Sequence, residues 1–150
     1  MAALTTSKQT PIRGDFRVKT FPLKTNAKVY AGGFACIETS SGYLVDATDT
    51  AGLKVVGIVI GEGQYGTPTF GAYDATGLAS GAIQVPVAYE CEARVVGSSL
   101  AQTSVGANLE VSDNQTLVGS STNHVKAGKC IEYISATECV IFVPGLSDLS

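Results

Sequence analysis

His124 is the only histidine in the chain, so any mechanism that needs an imidazole base would depend on it. Nucleophilic hydrolases place a serine or cysteine beside such a base and add a third group that orients the base. No G-x-S-x-G motif is present, and His124 lies in the polar stretch SSTNHVKAG. The sequence therefore favours a solvated loop histidine over nucleophilic catalysis.

Two carboxylates, Glu90 and Glu92, are separated by one residue, so they would lie on the same face of a strand. Paired carboxylates could cleave a glycosidic bond, one as acid and the other as base or nucleophile. Two acids on the solvent face of an edge strand are the commoner arrangement, and we favour it. No catalytic residue is predicted, and the chain is not expected to be an enzyme.

A glycine pattern at residues 61–66, GEGQYG, matches the dinucleotide-binding fingerprint and follows a predicted strand. The fingerprint functions because its glycines open a helix whose N-terminus faces the pyrophosphate. Residues 67–71, TPTFG, cannot form that helix. No cofactor is therefore predicted, and in the absence of a His cluster or a calcium loop no metal is predicted either.

The four cysteines lack the C-x-x-C spacing of zinc sites and redox motifs. Free cysteine behaves as a small apolar residue, and the sequence shows no secretory signal that would favour disulfides. We predict buried free thiols at Cys36, Cys91, Cys130 and Cys139.

Short strands with turn residues between them account for most of the chain. Residues 16–19 alternate apolar and basic side chains, and residues 28–47 predict a meander with a turn at Gly42. The β-branched run at residues 54–60 predicts a central strand.

The second half of the chain continues this pattern. Residues 61–81 are rich in Gly, Pro and Thr and predict a long surface loop. Residues 83–90 alternate cleanly, and Pro86 among them predicts an edge strand or a bulge. Further predicted features are a helical turn at residues 98–104, a hairpin across Asp113 and Asn114, and a closing pair of strands around the turn SATE.

These patterns predict an all-β fold, a compact barrel or sandwich of short strands at residues 27–150 with an extended N-terminal arm at residues 1–26. A chain of 150 residues with 45% hydrophobic and 15% charged residues can bury one core. No apolar run approaches the roughly 20 residues that cross a bilayer, and no signal peptide is recognisable. We expect synthesis in a cytoplasm and no membrane partner.

Charge is distributed unevenly along the chain. Residues 1–28 carry six of the ten basic side chains and one acid, Asp15, so this segment is +5 and the rest of the chain is −8. The imbalance suggests an arm that touches another subunit, with a solvated mobile tail as the alternative. Because the predicted body is acidic, no nucleic-acid partner is expected. The residues we predict to make contacts with other subunits are Ile12, Arg13, Phe16, Arg17 and Phe21.

Several segments resemble the capsid decoration, or cement, proteins of tailed bacteriophages. They are AKVYAGGFACI at 27–37, SGYLVDA at 41–47, DTAGLKVVG at 49–57, VGANLEVSDNQTL at 105–117, GKCIEYI at 128–134 and CVIFVPG at 139–145. The resemblance spans residues 27 to 145 and rests on turn-and-strand patterns such as gGxlvxl and sDtaGlxvvG.

The resemblance implies a β-rich protein, often trimeric, that binds the major capsid protein on the outside of the head and reinforces it. The expected location is the virion surface, after synthesis in the host cytoplasm. Two alternatives stay open. One is another virion part, such as a tail-tube or head-completion subunit. The other is a receptor-binding or carbohydrate-binding module, suggested by Tyr65, Phe70 and Tyr73 on the predicted loop.

Overall fold

A computed structural model describes residues 3–5, 7–61 and 71–147. The fold is all-β, as the sequence predicts, and among these residues no helix is long and apolar enough to cross a membrane. Short 3₁₀ turns lie at Gln102–Ser104 and Gly145–Ser147. The strands are Ile12–Arg13 (β1), Arg17–Pro22 (β2), Lys28–Tyr30 (β3), Phe34–Glu38 (β4), Leu44–Asp46 (β5), Leu53–Val59 (β6), Ala72–Asp74 (β7), Gln84–Tyr89 (β8), Cys91–Gly97 (β9), Asn108–Val111 (β10), Thr116–Val118 (β11), Lys126–Ser135 (β12) and Glu138–Val143 (β13).

Five strands form a closed barrel in the order β9-β11-β10-β12-β13, and β13 pairs back onto β9. Closure removes the exposed edges that an open sheet would present for aggregation. All neighbours in the barrel are antiparallel except β11 and β9, which are parallel. β1 pairs antiparallel with the first part of β9, along the edge that β11 uses further on. The barrel encloses Ala93, Val95, Leu109, Val111, Leu117, Cys130, Cys139 and Ile141.

A second sheet has the order β2-β8-β6-β4-β5. Its two ends meet at a single parallel bridge between Leu23 and Leu44, where the Lys24 N–H donates to the Leu44 carbonyl at 3.0 Å. This sheet therefore curls around a core of its own. That second core contains Phe21, Leu23, Val29, Leu44, Val56, Val59, Val85 and Val87.

Strands β4 and β6 form the wall between the two cores. Phe34 and Val55 pack into the barrel core, whereas Ala35 and Val56, one residue further along, pack into the second core. A strand that is buried on both faces needs a continuous apolar run instead of alternation. The run predicted as a central strand at residues 54–60 meets this need, and the prediction is confirmed by β6.

The predicted hairpins are also confirmed. β4 pairs antiparallel with β5 around Gly42, whose φ of +76° lies in the left-handed region that glycine enters without strain. β10 pairs with β11 across Asp113 and Asn114, and β12 pairs with β13. The helical turn predicted at residues 98–104 is the 3₁₀ turn Gln102–Ser104.

Pro86 does not mark an edge, because β8 lies between β2 and β6. Its carbonyl accepts a hydrogen bond from the Ile60 N–H at 3.0 Å, and in a strand the N–H and C=O of one residue point to the same side. The missing N–H therefore faces the β6 side, beyond Val59, where the pairing of β6 with β8 ends. Proline is tolerated in this central strand because no ladder bond is required of it.

The long loop predicted at residues 61–81 is only partly a loop. Ala72–Asp74 forms β7 and pairs with β3, with Tyr73 opposite Val29. The Tyr73 hydroxyl donates to the Ile60 carbonyl at 2.8 Å, which ties this ribbon to the end of β6. The glycine-rich pattern beyond Gly61, together with Tyr65 and Phe70, lies outside the described residues.

The predicted arm at residues 1–26 divides into two parts. Around Leu4, Lys8 and Thr10 the chain is extended and lies against the body. From residue 12 it supplies strands, because β1 pairs with β9 and β2 pairs with β8. The alternation at residues 16–19 therefore belongs to a strand of the second sheet.

The alternation of β13 provides a test of this packing. Ile141 is fully buried in the barrel core, whereas its neighbour Phe142 points outwards. Ile141→Ala should lower the free energy of unfolding by about 2–5 kcal/mol, because it leaves a cavity in the core. In the unassociated subunit, Phe142→Ala should cost less than about 1 kcal/mol, because it opens no core cavity. Urea unfolding of the two variants beside the wild type measures both values, and equal costs would contradict the assignment of inner and outer faces.

Candidate interaction surface

Leu4 is bound by the side chain of Asn114, in the turn between β10 and β11. The Leu4 N–H donates to Asn114 Oδ1 at 2.7 Å, and Asn114 Nδ2 donates to the Leu4 carbonyl at 3.2 Å. Asn114 is only 1% exposed, so these bonds are shielded from water. The amide therefore pairs with Leu4 as a neighbouring strand would.

Further along, the N-terminal segment crosses the turn between β3 and β4. The Lys8 N–H donates to the Ala31 carbonyl at 3.0 Å, and the buried Thr10 hydroxyl donates to the Gly32 carbonyl at 2.7 Å. Gly32 has a φ of +87°, and a Cβ there would lie 2.0 Å from the Lys8 carbonyl oxygen. Only glycine allows the two backbones to approach this closely.

Asp46, in β5, is the other partner of Asn114. Asn114 Nδ2 donates to Asp46 Oδ2 at 2.9 Å, and Asp46 Oδ1 is buried without a hydrogen-bond partner. Burial raises the pKa of Asp46 to about 7, although the Asn114 amide opposes the rise. The carboxyl therefore changes charge near neutral pH at the point where the N-terminal segment, the barrel and the second sheet meet.

The three apolar residues predicted to contact another subunit pack within their own chain. Ile12 and Phe16 lie against the barrel core, and Phe21 is buried in the second core. Their use as contacts with another protein stays a prediction. The sequence could not distinguish packing in the chain's own core from contact with another protein, because the same apolar residue types serve in both.

The two predicted arginine contacts are paired with the two carboxylates considered above for catalysis. Arg13 Nε lies 2.8 Å from Glu92, and Arg17 Nε lies 3.0 Å from Glu90. The arginine side chains are 60% and 72% exposed, so each pair contributes only about 0–1 kcal/mol. Such pairs orient the guanidinium groups at the surface and can be exchanged for a partner's carboxylate at small cost.

Glu90 and Glu92 do not share a strand face. Glu90 has a φ of +52° and lies between β8 and β9, whereas Glu92 belongs to β9, which is paired on both sides. The expectation of two acids on one edge strand is therefore wrong. The left-handed residue turns the chain from the second sheet into the barrel.

Phe142, on β13, is the apolar centre of a row of side chains that crosses four neighbouring strands. Phe142 is 40% exposed and lies in register between Glu92 on β9 and Lys129 on β12, and Arg13 extends the row. We call this row of four residues the outer face of β13. Phenylalanine and arginine are both enriched in protein interfaces, so this row is a candidate contact surface.

Two exposed isoleucines, Ile131 and Ile134, lie on the same hairpin. Both lie where the register between β12 and β13 shifts, since the ladder omits Ile131 and Ile134. A bulge turns a side chain out of the regular alternation. This apolar surface could not be predicted from the sequence, because register shifts cannot be read from the alternation of one strand.

The cysteines are all buried free thiols, as predicted. Burial raises the pKa of Cys36, Cys91 and Cys139 to about 12, so these thiols stay protonated and unreactive at neutral pH. Within residues 3–5, 7–61 and 71–147, no group of three or more His, Cys, Asp or Glu side chains could hold a metal ion.

His124 lies in a loop with its side chain 64% exposed, as the sequence suggested, and it also has a polar partner. Its Nδ1 lies 3.0 Å from Glu110 Oε1, and this carboxylate also accepts the Ser121 N–H at 2.6 Å. The two residues are 14 positions apart in different elements, so no local pattern indicated the pair.

No protein-family model matches this chain, and a search of curated proteins finds no significant match.

The buried Asp46 carboxyl predicts an unusual pH dependence of stability. Its folded pKa of about 7 lies above the ordinary value of 3.8, so the folded state holds this proton more tightly than the unfolded state. The free energy of unfolding should therefore fall as the pH rises through about 7. Urea unfolding between about pH 5.5 and pH 8 measures the slope, and Asp46→Asn should reduce it.

Other carboxylates serve as the contrast in that experiment. Hydrogen bonds lower the pKa of Glu38, Asp49 and Asp74, so their stabilisation is lost only in more acidic solution. An Asp46→Asn variant with the wild-type slope would show that Asp46 titrates normally.

The two hydrogen bonds between Asn114 and Leu4 can be tested by amide hydrogen exchange. Asn114→Ala removes the acceptor of the Leu4 N–H but leaves the bond from the Lys8 N–H to Ala31 in place. We expect exchange at Leu4 to accelerate more than exchange at Lys8, and the free energy of unfolding to fall by about 1–3 kcal/mol. Asn108→Ala, at an exposed position of β10, is the matched control. If the Leu4 amide of Asn114→Ala exchanged as slowly as in the wild type, Asn114 would not bind Leu4.

Proposed function

We propose that this protein is a structural subunit of a tailed-phage virion. It binds the major capsid protein on the outer surface of the head as a trimer and stabilises the shell. The proposal rests on the resemblance of residues 27–145 to capsid decoration proteins and on a surface suited to subunit contact.

The segments that carry the resemblance are building blocks of both sheets. Residues 27–57 contain β3, β4, β5 and most of β6, and residues 105–117 contain most of the hairpin of β10 with β11. Residues 128–145 contain most of the hairpin that closes the barrel. The similarity therefore involves the strands and turns that define the fold, and this observation carries the proposal.

The outer face of β13 supplies the contact between copies in this proposal. Phe142 provides the apolar centre, and Glu92 and Lys129 flank it with opposite charges. A charge pair on each copy can meet its counterpart on another copy, which favours association of identical chains. Arg13 lies in the same row, so one of the residues predicted as contacts takes part.

Trimer formation would also explain how modest contacts suffice on the shell. A trimer that engages several capsid subunits at once gains avidity, often about 100-fold or more, through effective concentration. Each exposed patch can then remain small and polar enough for a soluble subunit.

Co-sedimentation with expanded phage heads that lack the protein tests the proposal. Bound copies are counted per shell while the protein concentration is increased. Saturable binding at a multiple of three per capsid face is the expected result. Absence of binding to intact heads would overturn the proposal, and assembly of rings or tubes by the isolated protein would favour a tail or head-completion subunit.

Phe142→Ser tests the surface between copies. The substitution removes the apolar centre of the outer face of β13 without opening a core cavity, since Phe142 points outwards. We expect the trimer to dissociate at least about tenfold more readily in analytical ultracentrifugation.

Val105→Ser is the matched control, because Val105 is also 40% exposed but follows the 3₁₀ turn instead of lying on β13. Equal weakening by both substitutions would argue against a specific contact. A Phe142→Ser trimer that stays intact but no longer binds heads would assign this surface to the capsid protein.

A further inference from the structure

One side-chain nitrogen joins the N-terminal segment to the carboxyl group of Asp46. Asn114 Nδ2 donates one hydrogen to the Leu4 carbonyl at 3.2 Å and the other to Asp46 Oδ2 at 2.9 Å. The two acceptor oxygens therefore lie next to each other around the same amide nitrogen. A change in the charge of Asp46 is thus felt directly at the Leu4 carbonyl.

The carboxyl group of Asp46 is poorly placed to carry a charge. Its Oδ1 is buried and has no hydrogen-bond partner among the described residues. An ionised carboxylate needs donors on both oxygens to offset the loss of its hydration. Ionisation would also put a negative charge beside the partly negative oxygen of Leu4. The closed arrangement therefore favours the neutral carboxyl, and burial raises the pKa of Asp46 to about 7.

The other titratable groups around Asp46 do not remove this cost. Asp113, in the turn between β10 and β11, raises the pKa of Asp46 further. Cys36 of β4 stays a neutral thiol, because burial raises its own pKa to about 12. Lys8, in the N-terminal segment, interacts with Asp113, and Lys28 of β3 pairs with a carboxylate of β7. Among the described residues, the surroundings of Asp46 thus suit its neutral form.

The residues ahead of β1 are held by individual hydrogen bonds. The Lys8 N–H donates to the Ala31 carbonyl at 3.0 Å, and the Thr10 hydroxyl donates to the Gly32 carbonyl at 2.7 Å. Within the described part of the chain, strand pairing begins only at Ile12, in β1. The segment ahead of β1 can therefore leave the body while both sheets stay paired.

We propose that Asp46 is a proton-controlled switch for the N-terminal segment ahead of β1. With Asp46 protonated, the segment stays bound through Asn114. Loss of the proton releases the segment, because water can then reach the carboxylate that the closed site leaves without a partner on Oδ1. The inference goes beyond the proposed function and does not depend on it, since every contact involved lies within one chain.

The direction of the switch follows from the two states of Asp46. The bound state holds the proton with a pKa of about 7, whereas the solvated carboxyl of the released state returns towards its ordinary pKa of 3.8. Between these two values a rise in pH favours release, and at higher pH both states are ionised and the effect is complete. The equilibrium for release should therefore increase about tenfold between about pH 6 and about pH 8.

Limited trypsin digestion of the full chain measures the release. Lys8 is the only lysine or arginine in residues 1–12, and cleavage after it requires the segment to leave the body. The rate at each pH is divided by the rate for a free peptide of the same sequence, which removes the pH dependence of trypsin. Cleavage after Lys129, which lies in paired β12, is normalised in the same way and reports unfolding of the barrel.

We expect the normalised rate after Lys8 to rise about tenfold from about pH 6 to about pH 8, and to exceed the rate after Lys129 at least about tenfold at the higher pH. Asp46→Asn is the matched variant, because it keeps an acceptor for Asn114 Nδ2 but cannot ionise. Its rate after Lys8 should change less than about twofold over the same range.

Asp113→Asn provides a second variant, which also decides the question if Asp46→Asn does not fold. Removal of the neighbouring charge should shift the rise in cleavage after Lys8 to lower pH, because Asp113 helps to raise the pKa of Asp46. The switch would be overturned by a wild-type rate that does not depend on pH, by a full rise in Asp46→Asn, by an unshifted rise in Asp113→Asn, or by equal cleavage after Lys8 and Lys129.

Discussion

The side chain of Asn114 joins the N-terminal segment, the barrel and the second sheet, which no strand pairing connects at this point within the described part of the chain. Its side-chain amide binds both backbone groups of Leu4 and the carboxylate of Asp46. The backbone carbonyl of Asn114 accepts the Phe34 N–H at 2.8 Å. A buried amide is costly unless its donors and acceptor are satisfied, and here the turn of the barrel, the second sheet and the N-terminal segment all contribute partners. The relative placement of the two sheets at this end of the molecule depends on these bonds.

This arrangement fits a protein that must be rigid and still present exposed contacts. The barrel is closed, and β4 and β6 are shared between two cores, so the scaffold has few free strand edges. The groups suited to binding lie outside it, as weak surface ion pairs of Arg13 and Arg17 and as the exposed ring of Phe142. These groups can change partners without disturbing either core.

Local patterns predicted the strands well, because apolar runs and turn residues act over a few positions. The hairpin around Gly42, the central strand β6 and the closing hairpin of β12 with β13 are examples. Contacts between distant residues could not be predicted in this way. Asparagine is common in turns, so the sequence predicted only a turn at Asn114. Its partner Asp46 is 68 positions away. The same limit applies to Arg13 and Arg17, because their ion-pair partners Glu92 and Glu90 are more than 70 positions away in the sequence. Their contact with another subunit stays a prediction.

Electron cryomicroscopy of the parent phage head tests the central claim most directly. The account predicts density for the barrel and the second sheet on the outer capsid surface, in groups of three, with Phe142 buried between copies. Comparison with heads that lack the protein assigns this density. A head whose outer surface is unchanged by loss of the protein, or density for it in the tail, would contradict the account.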